Sequence, residues 1–351
     1  MLLDRFKTRI TASYQDNEYP VGRYQAQLWA QTQPLKGLRV LDATPIFQNT
    51  LSKYISLLEA GAELLIGLSD VMPKDPEVVD WLKAQGARVV TPQDDFGEVD
   101  LILDCAGAFS HLTPKIGYVE LTRSGVYQYE NAVKPVFIAD GGRIKRIETC
   151  LGTGESYFRA LDQLGYHDWQ DKSVVIFGSG KVGTGLITYA HKYGCRITVV
   201  TRPQDLTDTV RAIAHVVIDA SDSPAIRQAV LAADFVVTAT GVADALAETC
   251  PAEVFMQSKS VVANMGVEDE FGAALPDKRV LENKRPVNFI LKDPTLMKYI
   301  DATMALHNAG AVWLVEHPQS QGLIDPPAEL EALLLDVCRR DGTIGDELQY
   351  I

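Results

Sequence analysis

Between Lys172 and Arg202 the chain reads as a complete strand–turn–helix–strand unit, and this stretch limits the fold more than any other. Ser173–Phe177 is a short apolar run rich in β-branched residues, the pattern of a strand buried on both faces. Gly178, Gly180 and Gly183 follow with G-x-G-x-x-G spacing. In that arrangement the first glycine permits a tight turn and the second lets a pyrophosphate approach the backbone. The third lets helix and strand pack closely, with phosphate on the helix N-terminus. Thr184 to Tyr193 supplies the helix, Gly194 closes it, and Arg196–Thr201 forms the second strand. The order and the length of about 30 residues are those of one βαβ unit, so the stretch predicts a dinucleotide site. A tight βα turn without a ligand is the alternative.

An NAD site usually carries an Asp or Glu about 20 residues beyond the glycines, on the ribose 2′-hydroxyl. Here the second strand ends Val199-Val200-Thr201-Arg202-Pro203, with no acid before Asp205. A guanidinium pairs with a 2′-phosphate, which a carboxylate would repel. This favours NADP over NAD; otherwise Arg202 stacks on adenine or faces solvent.

The 351 residues leave room for two domains. A net charge of -13 argues against nucleic acid or anionic membrane as a partner. The N-terminus, Met-Leu-Leu-Asp-Arg-Phe-Lys, lacks the apolar core of a signal peptide, and no apolar run approaches the ~20 residues of a membrane span. Five scattered cysteines (105, 150, 195, 250, 338) suit reduced thiols and offer no close-spaced metal pair. A cytoplasmic protein with no metal site is expected.

Residues 1–36 are polar and aromatic and are expected to wrap the first domain. From residue 37 strands alternate with helices: strands at Arg39–Leu41, Ala62–Leu68, Arg88–Thr91 and Asp100–Asp104, helices at Thr50–Ala60 and Asp75–Gln85. Such alternation implies a parallel sheet with helices on both faces. Asp104 stands at a strand's carboxyl end, where α/β proteins place ligands; it either faces that crevice or caps the following turn. Residues 116–156 are less regular, and Tyr157–Leu164 reads as a helix leading into the glycine-rich unit. Beyond it, His215–Asp219, Phe235–Thr240, Ser260–Ala263 and Asn288–Leu291 read as strands, about six from Ser173 onward. Helices are expected at Pro224–Ala232, Asp301–Glu316 and Asp325–Cys338. The fold class is therefore α/β, with two Rossmann-like, doubly wound parallel-sheet domains.

Several motifs, collinear over most of the chain, resemble the S-adenosylhomocysteine hydrolase family. Gly61-Ala62-Glu63 is similar to its Gly-Ala-Glu, and Leu101-Ile102-Leu103-Asp104 to its Met-Ile-Leu-Asp. Thr122-Arg123-Ser124-Gly125-Val126 resembles its Thr-Thr-Thr-Gly-Val, and Glu155-Ser156 the Glu-Ser before its linking helix. Thr238-Ala239-Thr240-Gly241 resembles Thr-Thr-Thr-Gly, and Asn264-Met265-Gly266 resembles Asn-Ile-Gly. Members of that family hold NAD between two α/β domains, oxidise a ribose 3′-hydroxyl transiently, eliminate homocysteine, add water and reduce the sugar again. The resemblance implies a substrate domain over 1–153, a dinucleotide domain over 154–305, and C-terminal helices of 306–351 that rejoin the first. It also implies a homodimer or larger homo-oligomer.

The substrate side departs from the family. Its His-x-Thr-x-Glu aligns with Pro45-Ile46-Phe47-Gln48-Asn49, and its second Asp after Ile-Leu-Asp with Cys105. The Glu before its threonines aligns with Leu121, one residue after Glu120, and its catalytic Lys with Ile144, beside Lys145. Its following Asp aligns with Glu148, its Asn-Ile-Gly-His with Asn264-Met265-Gly266-Val267, and its Lys- and Tyr-bearing tail is reduced to Gln349-Tyr350-Ile351.

Hydride transfer needs one group to take or give the alcohol proton. Candidates are Glu148, which keeps a carboxylate at the family's acidic position, His307, Glu120 and Lys145. A packing histidine and a solvated lysine are the alternatives for His307 and Lys145. Cys105 is a nucleophile only if its pKa is depressed, and otherwise a buried structural thiol. The candidate cofactor set is Gly178, Ser179, Gly180, Lys181, Val182 and Gly183 for the phosphates, and Thr201 and Arg202 for the adenosine ribose. Thr122, Ser124, Thr240, Gly241 and Asn264 complete it on the nicotinamide half. The leading expectation is an NAD(P)-dependent oxidoreductase acting on a small polar alcohol, ketone or imine. A divergent hydrolase using bound NAD and a non-catalytic dinucleotide-sensing partner protein are the alternatives.

Overall fold

The computed structural model describes residues 1–70 and 72–351. They form two compact units, Met1–Lys145 with Met297–Gly345, and Arg146–Leu296 with Asp346–Ile351. The chain thus divides at 145/146 and 296/297, against expected divisions at 153/154 and 305/306, and its last six residues group with the second unit.

In the first unit β1 (Arg39–Asp42), β2 (Glu63–Gly67), β3 (Val89–Val90), β4 (Leu101–Asp104), β5 (Gly117–Glu120) and β6 (Val136–Ile138) join a seven-stranded sheet. Its seventh member, Leu323–Ile324, pairs in parallel with β6. The order is Leu323–Ile324, β6, β5, β4, β1, β2, β3. Successive strands move one way from β1 and the other way from β4, so the sheet reverses between those two. Residues 1–36 form helices Leu2–Ser13 and Pro20–Thr32, which bury Phe6, Ile10, Val21 and Trp29. The 20-residue helix Met297–Glu316 is buried over most of its circumference, which its alanines and Gly310 allow: a Cβ at Gly310 would lie 2.6 Å from the Phe137 ring. From that helix, Asp301 accepts the Val21 and Gly22 N–H groups at 2.8 and 3.0 Å and so caps Pro20–Thr32.

The second unit holds β7 (Ser173–Phe177), β8 (Arg196–Thr201), β9 (Val216–Asp219), β10 (Phe235–Thr238) and β11 (Val261–Asn264), in the order β11, β10, β7, β8, β9, all parallel. This is a doubly wound sheet that reverses between β7 and β10. The sixth strand expected at Asn288–Leu291 is not formed. Val287–Ile290 is a 3₁₀ turn, and a single bridge joins Asn264 to Pro286. Pro286 has no N–H to extend a ladder. Glu282, Asn283 and Lys284 just before it are left-handed, with φ of 53, 53 and 69°.

The helix Lys181–Lys192 crosses the helix Thr153–Gln163 through glycines. A Cβ on Gly154 would stand 2.2 Å from the Gly185 carbonyl carbon, and one on Gly185 only 1.8 Å from the Cys150 oxygen. The two backbones touch with no side chain between them.

Candidate dinucleotide site and the polar ends of the first sheet

At the end of β7 the three glycines take separate roles. Gly178 has φ 94°, and a Cβ there would meet the Ala239 oxygen at 2.5 Å. Gly183 packs on the turn itself, its Cβ position 2.1 Å from the Gly178 oxygen. Gly180 differs: a Cβ there would meet nothing within 4 Å. It is also the N-cap of Lys181–Lys192, and no side chain caps that helix. The first helical N–H groups, those of Lys181, Val182 and Gly183 among them, and the positive end of the helix dipole thus border open space where the sheet reverses. The helix begins at Lys181, one turn earlier than the expected Thr184.

The β8 end stands on one side of this turn. Ser179 Oγ and Thr201 Oγ1 are 2.8 Å apart, and Arg202 Nε donates to Asp205 Oδ2 at 2.7 Å. Arg202 is largely exposed, so its guanidinium is available to a ligand but already carries a carboxylate partner.

On the other side stand the ends of β10 and β11. Asn264 is fully buried and its amide is occupied internally: Nδ2 donates to the Glu268 and Lys284 carbonyls at 2.8 and 2.7 Å. Its Oδ1 accepts from Thr238 Oγ1 at 3.0 Å and from the Gly266 N–H at 2.8 Å. Thr240 and Gly241 are half-buried and exposed respectively, and their N–H groups bond the buried Glu270 carboxylate at 2.9 and 2.7 Å. Sequence reasoning missed Glu270, because its partners are backbone groups that no residue pattern reveals.

In the first unit the carboxyl ends of β1, β4 and β5 carry Asp42, Asp104 and Glu120, all fully buried. Asp42 forms an ion pair with the equally buried Lys53. Asp104 takes the capping role: it accepts the Cys105 and Phe109 N–H groups, each at 2.8 Å, and the Tyr129 hydroxyl. Burial, and secondarily the Glu120 carboxylate, push its pKa up to about 7. Glu120 accepts from the Ala106, Gly107 and Thr122 N–H groups at 3.0, 3.1 and 2.8 Å, and from the Thr122 hydroxyl at 2.8 Å. It clamps the β4 and β5 loops together, with Ala106 held at φ 56°. Thr122 caps the short helix Arg123–Val126, and the exposed Ser124 donates to it at 3.3 Å.

His307 has no measurable exposure. Its Nε2 lies 2.9 Å from the Val119 carbonyl, which only accepts, so Nε2 carries the proton; Nδ1 faces Thr44 Oγ1 at 3.5 Å. Burial first, then the Lys53 and Lys145 ammoniums, hold the imidazole well below its ordinary pKa, so it is neutral. The structure therefore brings His307, Lys145 and the three acids into one unit. Lys145 is buried, not solvated. Glu148 belongs to the other unit, in the π-helical turn Ile147–Gly152, and is half-buried. Cys105 is a buried thiol.

Residues 166–265 match a family model described as putative NAD(P)-binding. Over 286 residues, 73% of this chain and 68% of the relative, the sequence is 25% identical to an adenosylhomocysteinase from Thermotoga maritima. Among solved structures, a dipicolinate synthase chain from Bacillus halodurans superposes with a TM-score of 0.53 at 11% identity, over 79% of this chain and 98% of that one. A transhydrogenase from Sinorhizobium meliloti gives a TM-score of 0.49 at 15% identity, over 78% and 95%. The first structural likeness is one of fold. The chain is a two-unit, doubly wound α/β protein with a nicotinamide-dinucleotide-binding domain of Rossmann type. Among its described residues no helix is long and apolar enough to cross a membrane.

Proposed function

We propose that the chain is an NAD(P)-dependent oxidoreductase moving a hydride to or from a small polar alcohol, ketone or imine. The observation that carries the reading is Gly180: an uncapped helix N-terminus with open space over its N-cap, at the point where the sheet reverses. The residues present fit a dinucleotide. The backbone of Gly178–Gly183 would hold the pyrophosphate, with Ser179, Thr201 and Arg202 at the adenosine ribose. Thr240 and Gly241 would flank the nicotinamide half, and Asn264 would brace that wall. Arg202 favours NADP. When bound, the dinucleotide supplies a hydride acceptor or donor.

Glu148 is the group we assign to the substrate proton, because it is half-buried and its carboxylate stands where the resembling family has an acid. His307, Glu120 and Lys145 are alternates for that role; their burial suits groups that shape the site. The reading carries with it a small-molecule substrate, a cytoplasmic location and a homo-oligomeric assembly.

The 25% identity to an adenosylhomocysteinase favours a second reading, a thioether hydrolase that keeps its NAD bound. One experiment separates the two. The nucleotide that co-purifies is identified, and candidate substrates are added while absorbance in the reduced-nicotinamide band is followed. Net change with an alcohol, ketone or imine supports the oxidoreductase. Homocysteine release without net change supports the hydrolase. Failure to bind either dinucleotide removes both.

A further inference from the structure

We infer that Glu270 is a positioning residue for the nicotinamide half of the site, holding the Thr240–Gly241 wall in place through its buried carboxylate. The inference rests on the dinucleotide reading above and extends it to a residue outside the glycine-rich turn.

Glu270 has no measurable exposure, and both its oxygens are engaged: Oε2 with the Thr240 N–H at 2.9 Å and Oε1 with the Gly241 N–H at 2.7 Å. Gly241, at φ 71°, turns its N–H toward the same carboxylate as Thr240. Two adjacent N–H groups on one carboxylate form a charge-assisted pair, stronger than neutral bonds and fixed in direction. The carboxylate reaches them past Gly266, where a Cβ would lie 2.1 Å from Oε1. Backbone bonds run parallel to the clamp, from Asp244 N to Asp269 O at 2.9 Å and from Leu246 N to Glu270 O at 3.0 Å. The loop after β10 and the loop after β11 are thereby one body.

The position of Glu270 is itself imposed. Its neighbour Asp269 accepts the Phe271 and Gly272 N–H groups at 3.1 and 3.2 Å and pairs with Lys284 Nζ at 2.8 Å. The Lys284 side chain is nearly fully buried, and its backbone is left-handed. A strained turn of this kind persists only where its surroundings over-determine it. Here the surroundings are the Asn264 amide on the Lys284 carbonyl and the ammonium on Asp269 and the Gly272 carbonyl.

In a doubly wound sheet the strands on either side of the reversal serve the two mononucleotide halves separately. β7, β8 and the glycine turn serve the adenosine and pyrophosphate. β10 and β11, whose ends Glu270 joins, serve the nicotinamide. Removing the carboxylate should therefore weaken the whole dinucleotide and spare its adenosine fragment.

The test uses the full-length protein and compares Glu270→Gln, which keeps the shape but replaces one acceptor by a donor, with Glu270→Ala. Affinities for NAD, NADP and the fragment ADP-ribose are measured by calorimetry, with melting temperature as a control on folding. If Glu270→Ala fails to fold, Glu270→Gln carries the comparison. The expected result is a loss of about tenfold or more for the dinucleotides with ADP-ribose within about twofold of the parent. Unchanged dinucleotide affinity overturns the inference, and so does an equal loss for fragment and dinucleotide, which marks a general structural brace. A parent protein that binds neither ligand overturns the dinucleotide reading itself and this inference with it.

Discussion

Gly183 sits so tightly under Gly178 that a Cβ at position 183 would approach the Gly178 carbonyl oxygen to 2.1 Å, whereas a Cβ at Gly180 would touch nothing within 4 Å. The two glycines therefore fail differently when replaced. Gly183→Ala forces helix and turn apart and should lower stability by about 1–3 kcal/mol, as overpacking does. Gly180→Ala should leave the melting temperature nearly unchanged but weaken dinucleotide binding about tenfold or more, because the methyl enters ligand space. Thermal melts beside binding isotherms check both, and a destabilised Gly180→Ala would contradict the assignment of open space.

Arg202 sets the second expectation. It follows Thr201, the partner of Ser179, in the chain, and its Nε donates to Asp205 Oδ2 at 2.7 Å. Arg202→Ala should weaken NADP by about tenfold or more relative to NAD, the scale of a lost charge-assisted contact. Fluorescence titrations with the two cofactors decide it, and equal loss for both would assign Arg202 to adenine stacking or solvent.

The buried pair of Asp42 and Lys53 makes the third. Both side chains are fully covered, so Lys53→Met leaves a buried carboxylate without its cation. A cost of about 3–5 kcal/mol follows from the desolvated charge. Urea unfolding measures it. The double variant Asp42→Leu/Lys53→Met should be more stable than Lys53→Met alone, and a double variant that is worse would argue that packing, not charge, governs the site.

His307 gives the stability a pH dependence. Its folded-state pKa lies below the ordinary 6.5, so the unfolded chain takes up a proton first as pH falls. Its contribution is fully present above about pH 6.5 and declines as pH drops toward the folded-state value. His307→Gln should flatten the fall in melting temperature between about pH 6.5 and 5. Asp104 acts oppositely: with its pKa raised to about 7, its contribution is greatest below the ordinary 3.8 and is lost as pH rises to 7. An unchanged slope in the His307 variant would mean that the ring takes up its proton at the same pH in the folded and unfolded chain.

The sequence carried the second unit's first half well, because one glycine pattern, one apolar run and one closing glycine constrain each other there. Ser173–Phe177 and Arg196–Thr201 have the bounds read from their residues. Short edges were less legible: Leu323–Ile324 has two residues and no periodicity, and Val136–Ile138 follows Pro135 in an irregular stretch. The apolar run at Asn288–Leu291 misled because Pro286 and the left-handed turn before it outweigh local hydrophobicity. At the site, ligand-facing glycines were visible as a spacing. The contacts of His307 with Val119 and of Glu270 with Thr240 join segments 188 and 30 residues apart and have no local signature.

The contact between Gly154 and Gly185 has a consequence for how this chain can drift over evolutionary time. Where two side chains meet, enlargement of one can be relieved by shrinkage of the other, and a lineage can exchange volume across the contact. Here each position already carries the smallest residue, and each is faced by backbone within 2.2 Å of where a Cβ would stand. No second substitution at either place can make room for a first. The two glycines, 31 positions apart in the chain, are locked as a pair, and the helix Thr153–Gln163 passes that constraint to the helix whose N-terminus opens at Gly180.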